Sequence, residues 1–70
     1  MKKVGERIRF VRQHILNLSG KKIAELAKVG QVSVSHWESG KRDVPASFLY
    51  FLANRFLISL NYLILGQGPV

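Results

Sequence analysis

Residues 29–43, Val29-Gly30-Gln31-Val32-Ser33-Val34-Ser35-His36-Trp37-Glu38-Ser39-Gly40-Lys41-Arg42-Asp43, constrain the fold more than any other stretch. They read as a tight turn over Lys28 to Gly30, a short helix from about Gln31 to Ser39, a glycine stop at Gly40 and a basic loop. In that helix only Val34 and Trp37, three residues apart, are plainly inward. Ser33, Ser35 and His36 are free to face out. A helix this short, with so narrow an apolar seam, does not hold itself together in water. The remaining chain must supply its scaffold.

Seventy residues make one small domain, near the lower limit at which a core stabilises a fold unaided. The chain has no cysteine, so it has no disulfide framework, thiolate metal site or cysteine nucleophile. The 47% of hydrophobic residues must therefore suffice. Their spacing is helical throughout. Val4, Ile8, Val11 and Ile15 recur at +4, +3 and +4, one face of a first helix. Asn17 to Ser19 forms a connector, with Ser19 as N-cap of a second helix whose inward residues are Ile23, Leu26 and Ala27. Pro45 suits the first turn of a fourth helix with a buried stripe of Leu49, Leu52, Ala53 and Phe56. Ser59 caps a fifth helix, where Leu60, Leu63 and Ile64 repeat the pattern before Gly66 ends it. The expected fold is all-α, a compact bundle of five short helices spanning residues 1–66, with 67–70 a flexible tail or the start of a linker.

The formal charge of +7 points to a polyanionic partner. Of the eleven Lys and Arg, only Arg55 falls after residue 43, so the front of the chain reads as the working surface. The first twelve residues carry charges with no apolar run, unlike a signal peptide. Phe48 to Leu65 is long and apolar enough to resemble a membrane span, but Asn54, Arg55, Ser59 and Asn61 interrupt it. An arginine near mid-span costs about 2.5–3.5 kcal/mol. Four acids, two histidines and no cysteine leave little for a catalytic set, and no enzyme activity or cofactor is expected. Gly66-Gln67-Gly68 lacks the lysine and following helix of a phosphate loop. His36 lacks companion ligands at metal spacing, so no metal is expected.

Two short helices joined by a three-residue turn make a helix-turn-helix, whose second helix enters the major groove of DNA. That helix needs inward anchors, here Val34 and Trp37. It also needs outward side chains that reach base edges, here Gln31, Val32, Ser35 and His36. Leu18-Ser19-Gly20, Ile23-Ala24-Glu25-Leu26-Ala27 and Val34-Ser35-His36-Trp37-Glu38-Ser39-Gly40-Lys41 resemble the lambda-repressor-like helix-turn-helix family of transcriptional regulators, the Cro/C1 or XRE type. The similarity extends through Val4-Gly5-Glu6-Arg7-Ile8-Arg9 and Ser59-Leu60-Asn61-Tyr62-Leu63-Ile64-Leu65-Gly66, about residues 4–68 in all.

The resemblance implies a five-helix DNA-binding domain, with the helix-turn-helix in its second and third helices, acting as a homodimer on a near-palindromic operator. Gln31, Val32 and His36 fall where the family reads bases, and Ser35 falls on the same rim. Ser19, Lys21, Ser39 and Lys41 fall at phosphate-contacting positions, with Arg42 a neighbour of the right charge. Glu38 is the acid that pairs in the family with an arginine on the first helix, by position Arg12. Leu60, Tyr62 and Leu65 lie in the family's usual dimer region. This chain also departs from the pattern. Gly20 stands where many relatives open the second helix with glutamine, and Lys28 replaces the turn glycine. The linker at Ile15-Leu16-Asn17 is one residue longer, and Leu57 stands where glycine often ends the fourth helix.

Plainer readings stand beside these. Gln31 and His36 can be solvated residues, Val32 a packing residue, and Leu60, Tyr62 and Leu65 core alone. Lys2, Lys3, Arg7 and Arg9 form either a solubilising face or a set of phosphate contacts. The expected function is sequence-specific binding of double-stranded DNA as a transcriptional repressor or regulator, cytoplasmic and associated with the nucleoid. One rival is an antitoxin or adaptor that grips a protein through the Phe48–Phe51 surface. Another is a small cationic membrane protein anchored by residues 48–65.

Overall fold

The structure, a computed structural model, describes residues 2–70; Met1 and the Lys2 side chain, both inside the expected domain 1–66, lie outside the described residues. Five α-helices follow one another: α1 Lys2–Phe10, α2 Gly20–Ala27, α3 Gln31–Ser39, α4 Ala46–Phe56 and α5 Leu60–Leu65. The described residues contain no strand. The fold is the all-α bundle that the spacing predicts. Its core joins Val4, Ile8 and Val11 to Ile23, Ala24, Val34, Trp37, Val44, Phe48, Leu49, Leu52, Ile58 and Leu63. α1 packs across both α3 and α5, and α2 packs on α3, so the working helix is held from two sides.

The first departure is at the end of α1. Val11–Ile15 is a π turn, in which the Leu16 N–H donates to the Val11 carbonyl at 2.8 Å. With bonds closing five residues apart, four residues no longer complete a revolution. Ile15, expected on the buried face four residues after Val11, is consequently 46% exposed. Leu16, five residues after Val11, packs against the core instead. The wider turn takes up more chain than an ordinary helical turn does.

Smaller differences follow the same logic of shape over pattern. Ala24 is buried in α2, while Leu26 and Ala27 are half-buried. Phe48 is buried in α4, while Ala53 and Phe56 are half-buried. In α5 only Leu63 is fully buried, Leu60 is half-buried and Ile64 is exposed. Pro45 stands at the N-cap of α4, one residue before its first turn. At the C-terminus Val70 packs against the core, and its carbonyl accepts from the Ser59 N–H at 2.9 Å.

Leu57 ends α4 in the left-handed conformation, φ 58°, with its side chain 86% exposed. A left-handed L-residue costs about 1–2 kcal/mol, and an exposed leucine has little packing to lose. Leu57→Gly is therefore expected to stabilise the domain, less the extra freedom glycine gains in the unfolded chain, a net of about 0.5–1 kcal/mol. Urea unfolding checks this; a lower midpoint would mean that Leu57 packs more than its exposure suggests.

Candidate nucleic-acid interface

α2 begins with a side-chain cap: the Lys22 N–H donates to Ser19 Oγ at 3.0 Å. It ends on Lys28, φ 59°, where the Lys28 N–H donates to Glu25 O and the Val29 N–H to Ala24 O. Those two bonds close a Schellman motif, normally a glycine's task. Lys28 thus takes the left-handed backbone that glycine most often supplies at a helix end. Gly30, extended at φ −74° and ψ 145°, then leads into α3.

α3 divides as its sequence predicts for the anchors: Val34 and Trp37 are buried, with Trp37 against Phe48 at 4.8 Å between ring centroids. Gln31, Val32 and Ser35 are exposed, Val32 by 67%, and His36 is half-buried. Val32 is thus held outward by the helix. Gly40, φ 82°, stops α3, and its N–H donates to the Trp37 carbonyl. The Ser39 hydroxyl donates to His36 O and accepts from the Lys41 N–H, while the Arg42 N–H also donates to His36 O. Ser39 thereby shapes the turn that carries the exposed Lys41 and Arg42. Ser19 and Lys21 are exposed at the start of α2.

Beneath this surface Arg12 reaches from the π turn to Glu38. Nε donates to Glu38 Oε2 at 2.6 Å and Nη2 to Oε1 at 3.0 Å, the bidentate geometry that guanidinium and carboxylate share. Nη1 donates to the Leu18 carbonyl at 2.9 Å, which ties the linker to the same group. The hydrogen bonds to Glu38 raise the Arg12 pKa; burial opposes this, and the Glu38 charge adds to it. The pair joins the π turn, α3 and the linker before α2 in one bonded unit.

A groove of about 280 Å³ opens over that pair, between α3 and the start of α2, with Arg9, Gln31, Ser35 and Ser39 along it. Gly20 forms part of its wall; a Cβ there would lie 4.0 Å from Gln31 Nε2. From sequence, Arg9 is either part of a solubilising face or a phosphate contact, and Gly20 is only a departure from the glutamine of many relatives. Neither residue signals a shared groove, because they lie eleven positions apart on different helices.

Two further placements bear on the rival readings. Phe48 is buried, Phe51 is half-buried and stacks on it, and Tyr50 is 57% exposed. Of the expected Phe48–Phe51 surface, Tyr50 is exposed and Phe51 partly so. Leu57 to Ser59 separates α4 from α5, and no helix among the described residues is long and apolar enough to cross a membrane. In the expected dimer region Leu60 and Tyr62 pack against the core, and Leu65 is exposed beside Ile64.

Comparison with known proteins agrees with the geometry. No curated protein and no solved structure matches the chain significantly. A family model described as a helix-turn-helix domain matches residues 5–69, which takes in α2, the turn and α3 together with the helices that hold them. The chain belongs to the helix-turn-helix domain family.

Proposed function

We propose that the protein is a sequence-specific binder of double-stranded DNA that acts as a transcriptional repressor or regulator. The observation that carries this reading is the division of α3. Val34 and Trp37 fix it to the core while Gln31, Val32 and Ser35 project from its N-terminal half. The base-contacting set is Gln31, Val32, Ser35 and His36, of which half-buried His36 has the least reach. Lys21, Lys41 and Arg42 supply phosphate contacts from both sides of the helix. Ser19 accepts through its oxygen within the cap, which leaves its own proton for a phosphate. Such contacts fix register and give salt-dependent affinity, while base edges give sequence preference.

The working form is a homodimer on a near-palindromic operator, with two copies of α3 about 34 Å apart. Exposed Ile64 and Leu65 support an association face around α5, with Leu60 and Tyr62 packed against the core beneath. The binding unit is residues 1–66, with Val70 folded back against it.

Selection from random duplexes tests the proposal: one enriched, two-fold related site is expected, and no enrichment refutes sequence-specific regulation. Gln31→Ala is then expected to relax preference at one base pair of each half-site. The loss of discrimination there should be about 1–3 kcal/mol, the value of a good bidentate amide–base pair. Equal weakening on every sequence would reassign Gln31 to the phosphates.

A further inference from the structure

Three arginines lie between residues 7 and 12, and the fold uses two of them internally. Arg7 Nη1 donates to the Leu63 and Ile64 carbonyls at 3.2 and 3.0 Å, closing the C-terminal end of α5. Arg12 is bound by Glu38 and Leu18. Arg9 is exposed and has no hydrogen-bond or ion-pair partner among the described residues. It lies at the groove that also holds Gln31, Ser35 and Ser39.

That groove suits an anion. Its one carboxylate, Glu38, has both oxygens bonded to Arg12, so its charge is balanced where it stands. Its volume, about 280 Å³, is many times the roughly 30 Å³ share of a single water. Gly20 lines it and puts no side chain into it. The nearest non-neighbouring atom to a Cβ at Gly20 is Gln31 Nε2, at 4.0 Å, with no backbone in the way. The groove also borders the residues assigned to base contact, where a DNA strand would pass.

We propose that this groove seats a backbone phosphodiester of the bound duplex, held by Arg9 and admitted by the absence of a side chain at Gly20. The inference rests on the DNA-binding reading above and adds two residues to it. Arg9 supplies the charge, and Gly20 sets how deeply the strand sinks beside α3.

The test is duplex binding by anisotropy between about 50 and 200 mM salt, on an operator selected as above and on a mixed-sequence duplex. Four proteins are compared: wild type, Arg9→Gln, Gly20→Leu and Arg55→Gln. Arg55→Gln makes the same change in net charge on α4, far along the chain from the groove. Gly20→Leu changes no charge and fills the groove; thermal melting checks that both groove variants fold. A phosphate lost from the interface lowers the slope of log K against log salt by about 0.9. Arg9→Gln and Gly20→Leu are each expected to show that fall, on both duplexes alike, while Arg55→Gln keeps the wild-type slope. A wild-type slope in either groove variant, or equal slopes for Arg9→Gln and Arg55→Gln, overturns the proposal and leaves the DNA-binding reading intact. Wild-type protein that binds neither duplex removes that reading and the inference with it.

Discussion

Gly5→Ala is expected to remove about 3 kcal/mol or more of the domain's stability. On most helices the same change would help, by about 1 kcal/mol. Here α1 crosses α3 so closely that a Cβ on Gly5 would drive into the Trp37 carbonyl oxygen and lie 2.9 Å from the Glu38 carbonyl oxygen. Both are backbone atoms, so no side chain can swing aside. The helices must move apart, and the core of Val4, Ile8, Val34 and Trp37 opens between them. Overpacking that side chains relieve costs about 1–3 kcal/mol; this case belongs at or above the upper end. A domain of this length has only about 3.5–10 kcal/mol in total. The melting temperature should fall by well over about 10 °C. Emission from Trp37, the single tryptophan, reports the transition. An unchanged or higher melting temperature would show that α1 and α3 part without loss.

Arg12→Leu is the second large effect. The pair it breaks is largely buried, with side chains 11% and 8% exposed, and its Nε, Nη1 and Nη2 donors each have an acceptor. Leucine leaves the Glu38 carboxylate and the Leu18 carbonyl without those partners. Removing one member of a buried pair costs about 3–5 kcal/mol, more than the pair contributes net. A double variant, Arg12→Leu with Glu38→Leu, should therefore be more stable than Arg12→Leu alone. Urea unfolding of the two single variants and the double variant measures this coupling. A cost for Arg12→Leu below about 1 kcal/mol, the range of surface pairs, would mean that water reaches the pair freely.

Much of this architecture is legible in the sequence because each piece has a local cause. Ser19 and Ser59 mark helix starts through a hydroxyl that accepts a backbone N–H three residues on. Gly40 and Gly66 mark helix ends through positive φ. Val34 and Trp37 are the only apolar pair at helical spacing in a polar segment, so their burial follows. What pattern does not reveal is what depends on packing between distant segments. Gly5 could have been suspected, since a glycine inside a helix weakens it without a reason to be there. Its reason is the α3 backbone at Trp37 and Glu38, more than thirty residues away. Arg7 and Arg9 differ by two positions and look alike in sequence. Only the placement of α5 commits one to the fold and leaves the other at the groove. Lys28 and Leu57 take left-handed backbone without the residue that usually signals it.

The π turn carries a consequence for how this chain tolerates change in length. Upstream of it lie Gly5 and Ile8, whose positions α3 and the core fix. Downstream lies Ser19, which must meet the first turn of α2. The wider turn stores one residue of slack between those two fixed points. A deletion among Gln13 to Ile15 could be taken up by tightening the π turn to an ordinary helical one, with Arg12 still at the near side of the gap. The same deletion inside α2 or α3 would turn every later side chain of that helix by about 100°. Insertions and deletions in related chains should therefore gather at this bend.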